Sequence, residues 1–320
     1  MFSLKMKNII LFTGIFFILF LLTFNTSLAR ATPAVINFTT NGSWVIPAGV
    51  TEIMVEAWGA GGGGGGGGAS NKYGGGGGAG GQYTTKNFTV NAGENYSIEI
   101  GIGGISGGKD INGTSGGDTR FNSTLVVAKG GEFGQCYISG GGGGIGSIDG
   151  VIGTIFYPGG NGSNGNRAGS GAGGGGAGST AAGGNASGLI GGTGGYELGG
   201  DGGAGTAGAS ASGGPGLDYG GASGGSTKNG NGGISGGNGF LRITYTQTDP
   251  CTCAGLNNNW EINMGDACNI VEDCDLGTGN VTFIGTGNVI FNATISCVNL
   301  EKPAKDQTIF LGSIASIIIG

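Results

Sequence analysis

The sequence predicts an all-β protein on three observations. Short runs of alternating apolar and polar residues recur between turn signals. No segment after residue 31 carries a helical period. Glycine, 84 of 320 residues, is concentrated between Gly59 and Gly239. A period of two is the strand signature, and short strands at close intervals are the pattern of a sandwich or barrel. Charged residues make up 10% of the chain, against about 25% in ordinary domains, and this low charge with low bulk suits neither a normal core nor a disordered polyelectrolyte.

The first element is a secretion signal over residues 1–31. Lys5 and Lys7 precede an apolar run from Ile9 to Leu22, and Ala29-Arg30-Ala31 supplies the small-x-small cleavage pattern. The rival reading is a retained anchor, because Asn8 to Ala29 is uncharged and long enough to span a membrane. Cleavage would leave ten basic against 19 acidic residues, net −9. Such a charge with no basic cluster predicts no nucleic-acid partner and no membrane insertion of the mature chain.

Strands follow in order. Ala34–Phe38 and Ser43–Ile46 flank an Asn41-Gly42 turn. Ile53, Val55 and Ala57 then alternate with Glu52, Met54, Glu56 and Trp58, giving one buried and one exposed face, with Trp58 packing the sandwich. Gln82–Val90, Asn95–Ile102, Thr119–Lys129 and Phe240–Tyr245 read as further strands. Between Gly130 and Gly239 the chain is largely Gly-Gly-x and Gly-Ala-Gly, with six charges between Gly141 and Gly239: Asp149, Arg167, Glu197, Asp201, Asp218 and Lys228. A flexible linker is one reading. Ordering a residue costs about 1–2 kcal/mol and a backbone hydrogen bond returns about 0.5–1.5 kcal/mol. Ordered glycine must therefore be extended, mutually hydrogen-bonded and anchored at both ends. The flanking strands are such anchors, and Phe156-Tyr157, Leu189-Ile190, Tyr196-Glu197-Leu198 and Leu217-Asp218-Tyr219 punctuate the run.

The segment Phe38-Thr39-Thr40-Asn41-Gly42-Ser43-Trp44-Val45-Ile46-Pro47-Ala48-Gly49 leads into Val55-Glu56-Ala57-Trp58-Gly59-Ala60-Gly61-Gly62-Gly63, and Gly239–Tyr245 closes the region. This resembles the glycine-rich domain of bacterial and phage surface proteins, and at the Trp-Gly-Ala-Gly-Gly step the extracellular glycine-rich region of a receptor kinase. Over residues 34–246 the resemblance implies a β-sandwich whose loops extend as packed polyglycine II helices, relatives of polyproline II and collagen strands. It implies no catalytic residue, and in phage adhesins of this type variable loop tips touch the host receptor. Tyr157, Tyr196 and Tyr219, set in glycine-rich surroundings, are the candidate contact residues at such tips. The favoured role for them is plugging the sandwich edge or spacing the glycine strands.

A separate unit is expected over 250–320, where glycine falls and cysteine rises. Cys251, Cys253, Cys268, Cys274 and Cys297 crowd there, with Cys136 far upstream. An even count behind a secretion signal predicts disulfides, at least two of them within this unit, with the pairing open. Leu276–Phe283 is repeated as Ile284–Phe291, a tandem octad that predicts strands stacked in series, with a hairpin as the alternative. The unit resembles the opening coils of parallel β-helix surface proteins. It ends on an apolar strand, which is read as the start of a longer solenoid. Trp260 is expected to cap the helix end.

The chain contains no histidine, which excludes serine–histidine and cysteine–histidine catalysis and histidine-ligated zinc. Gly103-Gly104-Ile105-Ser106-Gly107-Gly108-Lys109-Asp110 nearly matches a phosphate-binding loop, but Asp110 replaces the metal-binding hydroxyl. Asp110-Ile111-Asn112-Gly113 lacks the downstream glutamate of a calcium loop. No cofactor, metal or catalytic site is expected. The acidic set Glu261, Asp266, Glu272, Asp273 and Asp275 reads as a disulfide-tied surface, the rival being a carboxylate pair acting on sugars. Asn37, Asn41, Asn87, Asn95, Asn112, Asn122, Asn161, Asn185, Asn280 and Asn292 stand in Asn-x-Ser/Thr acceptor sequences. The combined expectation is a secreted or cell-surface structural or adhesion protein with a cell-surface glycan or protein as partner. The alternative is the N-terminal part of a carbohydrate-active parallel β-helix enzyme whose active site lies beyond residue 320.

Overall fold

Alternation in β3 (Glu52–Trp58) sets the first layer: Ile53, Val55 and Ala57 all face one core and are fully buried. The computed structural model describes residues 31–320 except 48, 69–72, 137–143, 145, 147–149, 168, 208–211, 226–233 and 249–250. The segment read as a secretion signal lies outside the described residues up to residue 30, as do Asp149 and Lys228.

The other sandwich strands are β1 (Ala31–Phe38), β2 (Gly42–Val45), β4 (Tyr83–Thr89), β5 (Asn95–Glu99), β6 (Thr119–Phe121), β7 (Val126–Ala128), β8 (Ile155–Tyr157) and β9 (Phe240–Thr248). One sheet has the order β1-β9-β3-β4-β8 and the other β2-β5-β6-β7. Pairing is antiparallel between β3 and both β4 and β9, and along the whole second sheet. Leu241 and Ile243 of the first sheet meet Ile98, Phe121 and Val126 of the second, and Tyr96 stacks on Phe121 with centroids 4.9 Å apart. The protein is therefore all-β, with no α-helix among the described residues.

Three expectations are corrected. Thr119–Lys129 is a hairpin rather than one strand, because Asn122 and Ser123 turn through positive φ. β5 stops at Glu99, and Ile102 beyond it is exposed. Phe156 and Tyr157 belong to an edge strand, β8, paired with β4.

Glycine segments continue the strands outward as hydrogen-bonded rods. In rod 59–68, Gly59, Gly62, Gly65 and Gly68 donate to the carbonyls of Gln82, Ala79, Gly76 and Tyr73. Ala60, Gly63 and Gly66 donate to Gly117, Thr114 and Ile111, while Gly61 donates to Gly237 and Gly64 to the Ser223 hydroxyl. Every third residue therefore shares a direction. That is a helix of three residues per turn, the polyproline II geometry. The directions a Cβ would take fall on other neighbours. A Cβ on Gly62, Gly63 or Gly64 would come within 3.0 Å of the carbonyl oxygen of Glu132, Ile105 or Gly224. None of these glycines takes a positive φ. Close approach, not backbone freedom, demands glycine here.

Rod 73–82 repeats the pattern, donating from Gly74, Gly77 and Gly80 to Asn166, Ser163 and Gly160. Rod 169–178 runs alongside, with Gly171, Gly174 and Ala177 donating to Gly75, Gly78 and Gly81. Residues 59–68, 74–82 and 169–178 are all buried. Outer rods expose one residue in three. These include Ile102 and Ile105, Asn161 and Asn164 with Arg167, Ala182 and Asn185, Ile190 with Thr193 and Tyr196, and Asp201 with Ala204 and Ala207. The residues from Pro33 to Thr246 form one compact unit.

The chain from Gln247 falls in a second unit, with three parallel three-stranded sheets. β10 (Trp260–Asn263), β13 (Asn280–Ile284) and β16 (Asn299–Leu300) form one face. β11 (Asn269–Ile270), β14 (Gly287–Phe291) and β17 (Gln307–Leu311) form the second. β12 (Cys274–Asp275), β15 (Thr294–Cys297) and β18 (Ser316–Ile319) form the third. Trp260 aligns with Val281, Asn269 with Ile290 and Cys274 with Ile295. One coil is thus about 21 residues, the separation of the Asn259–Asn280 contact. The tandem octad is not the coil repeat. Its copies form β13 and β14, on adjacent faces of the same coil, and put Val281, Phe283, Val289 and Phe291 into one core. Trp260 does not cap that core from outside but lies in it, edge-on to Phe291 at 6.5 Å.

Candidate functional site

Where the glycine rods leave the first sheet, its outer face carries a buried charged cluster. Glu56, Trp58, Tyr83, Phe240 and Arg242 share that face through the β3–β4 and β3–β9 registers. The alternation of β3 is as expected, but its second face is covered at this end. Trp58, Tyr83 and Phe240 are buried with Ala177 of rod 169–178. Glu56, 3% exposed, accepts from Tyr83 Oη at 2.9 Å and from Arg242 Nη2 at 2.8 Å. The guanidinium lies 5.4 Å from the Trp58 ring centroid. Burial first, then the Glu56 charge and hydrogen bond, hold the Tyr83 phenol well above its ordinary range. The Arg242 guanidinium is likewise held above its ordinary range by its bond to Glu56, against the opposing effect of burial. A carboxylate clamped by a guanidinium and a phenol is a structural brace: its lone pairs are committed and its charge is balanced.

The three tyrosines separate. Tyr157 stacks on Tyr83 at 6.1 Å, and Tyr219 meets Phe240 edge-on at 4.8 Å, so both pack the seam. Tyr196 is 73% exposed on a turn in which Glu197 and Leu198 take positive φ. All three lie at the sandwich end of the rods: Gly195 bonds Gly176, one residue before Ala177. Tyr157 and Tyr219 therefore take the packing role, and Tyr196 is exposed at the sandwich end.

The far ends of the rods gather different residues. Gly68 bonds Tyr73, Asp110 bonds Gly67, and Gly74 bonds Asn166. Beside them Arg167 Nε donates to Tyr73 Oη at 2.8 Å, with its guanidinium 5.1 Å from the ring centroid. Lys109, Asp110 and Ile111 are exposed at this end. Cys136 is half-buried and unpaired, its thiol pushed up by burial and then by Asp110. Lys109 and Asp110, the pair that resembled a phosphate loop, close a turn between two rods.

In the second unit Cys251 bonds Cys268 and Cys253 bonds Cys274, tying the entering segment to the first coil. Cys297, counted among the disulfide candidates, is a free thiol. It faces the core from β15, one coil beyond Cys274, whose sulfur is already taken. The acidic residues are dispersed. Asp273 accepts the Thr294 N–H at 2.7 Å and Asp275 the Gly277 N–H at 2.9 Å. No group of three or more potential metal ligands occurs among the described residues, and no helix there is long and apolar enough to cross a membrane.

The acceptor asparagines Asn37, Asn41, Asn87, Asn95, Asn112, Asn122, Asn161 and Asn185 are exposed. Asn280 and Asn292 are half-buried in ladders between coils. Asn280 accepts from Asn299 at 3.1 Å, and Asn292 Nδ2, the atom a glycan would take, donates to Asn269 at 2.8 Å.

Residues 37–246 match a family model described as a glycine-rich domain, and the chain belongs to that family. A search of curated proteins returned no match. Sequence reasoning named several outward residues of the rods, such as Ile190 and Tyr196, but not the spacing that turns them outward. Their signal is phase: in a three-residue helix, non-glycine residues at every third position must face out.

Proposed function

We propose that this chain is a secreted or cell-surface structural and adhesion protein, in which the glycine bundle is a rigid display element of the kind found in bacterial and phage adhesins. The observation that supports this most is the bundle's construction. Ten-residue rods at about 3.1 Å per residue reach about 30 Å from the sandwich while burying only backbone and small side chains. Such a spacer carries its chemistry at its far end, where Tyr73, Lys109, Asp110 and Arg167 are the recognition residues. A planar guanidinium beside a phenol suits a glycan or a protein surface. No catalytic role is assigned to any residue.

The test uses the full chain displayed on beads against a panel of surface glycans and intact cells. Binding that survives in wild type and falls at least tenfold in Tyr73→Ala/Arg167→Ala, with melting unchanged, supports the reading. Binding unaffected by that variant, or recovery of the native protein only from the cytosol, sinks it. The alternative, a carbohydrate-active β-helix protein, draws support from the parallel coils. Protection of the parallel coils from hydrogen exchange by a polysaccharide would favour it.

A further inference from the structure

We propose that the outward side chains of the surface rods are guards that stop two copies of this chain from fusing rod to rod. The buried rods show what docking requires. The facing phase is glycine at most positions, where a Cβ would fall within 3.0 Å of the neighbour's carbonyl oxygen, and carries nothing larger than alanine or serine where it is not, as at Ala60, Ala172 and Ser170. Backbone N–H groups must also be offered at three-residue intervals, as rod 59–68 offers them. A bundle assembled by that rule has no intrinsic width limit. An outer rod with glycine in its outward phase is a seat for one more rod, the counterpart of an open strand edge.

The surface rods refuse both conditions. Bulk fills the outward phase: Ile102 is 76% and Ile105 56% exposed on one rod, Ile190 74% and Tyr196 73% on another, with Thr193 between them. Several donors near the surface are taken by side chains from adjacent rods. Asn238 Oδ1 accepts the Gly103 N–H at 3.0 Å, and Asp201 Oδ1 the Gly194 N–H at 2.7 Å. Asn185 Oδ1 accepts the Asn161 N–H at 2.8 Å, and Asn161 Oδ1 in turn the Gly146 N–H at 2.7 Å. The occupant excluded is a glycine rod of a second copy, because the interior shows that this surface, stripped of side chains, fits its own kind. The usual expectation for exposed isoleucine and tyrosine is the opposite, that they promote association.

The sign separates the two. Two independent full-chain variants are compared with wild type by sedimentation at matched concentrations: Ile190→Gly/Thr193→Gly/Tyr196→Gly and Ile102→Gly/Ile105→Gly. A third, Ile190→Asn/Thr193→Asn/Tyr196→Asn, removes the apolar surface but keeps bulk. Association at least twofold greater in mass in a glycine variant, with rod amides still protected from exchange and the asparagine variant at wild-type mass, is the expected result. Both glycine variants sedimenting as wild type would overturn it. So would equal association of the asparagine variant, or association accompanied by loss of rod protection.

Discussion

At the scale of single residues, the same amino acid does opposite work at different sites. Gly62 is surrounded by backbone, whereas a Cβ on Gly42 would meet nothing within 4 Å. Gly62→Ala is expected to destabilise by about 1–3 kcal/mol, the range for overpacking a closed site, and Gly42→Ala to change stability little. Equal melting temperatures for the two variants would refute the packed-rod account. Tyr83 makes a pH prediction. Its folded-state pKa is raised above the ordinary phenol value of about 10, so above that pH the unfolded chain releases its proton first. Linkage then requires stability to fall as pH rises beyond about 10. Tyr83→Phe should flatten that alkaline limb, at the cost of the bond to Glu56. Melting curves from pH 9 to about 11.5 check the slope.

At the scale of elements, strands were legible because alternation is a local property. Ile53, Val55 and Ala57 declare an inner face by themselves. That Trp58 packs was legible, but its neighbour Ala177 lies far along the chain, and nothing local announced that Glu56 would be buried between Tyr83 and Arg242. The octad misled for a similar reason. Two strands with equivalent inward positions look like stacked repeats, whereas parallel stacking joins residues about 21 apart that share little sequence. Cysteine count predicted disulfides but could not pair them, since pairing depends on which coil each sulfur enters. Reduction should remove roughly 3 kcal/mol per bridge for loops of this length on the chain-entropy estimate. Cys253→Ser and Cys251→Ser should each approach that loss in the second unit, while Cys297→Ser should not alter mobility on a non-reducing gel. A Cys297-containing bridge in peptide maps would contradict the pairing.

At the scale of the whole molecule, the stability of the glycine domain is a question of where backbone hydrogen bonds go. Few side chains are buried in rods 59–68, 74–82 and 169–178, so area burial of the ordinary kind contributes little. What remains is a dense set of backbone bonds shielded from water, supplemented by Cα–H···O contacts worth about 0.5–1 kcal/mol each. Each bond only roughly offsets the cost of ordering its residue. The rods therefore hold as a group: rod 73–82 has rods 59–68 and 169–178 as partners and cannot lose either alone without exposing donors. Hydrogen exchange should then show the amides of Gly62, Gly65, Gly77, Gly80, Gly174 and Ala177 opening together, with protection matching that of Val55 and Leu241 in the sandwich core. A linker would exchange at the rate of a free glycine–serine peptide. Glycine amides that exchange that fast while β3 stays protected would mean that the rods fray independently of the sandwich, and the display reading would lose its rigid spacer.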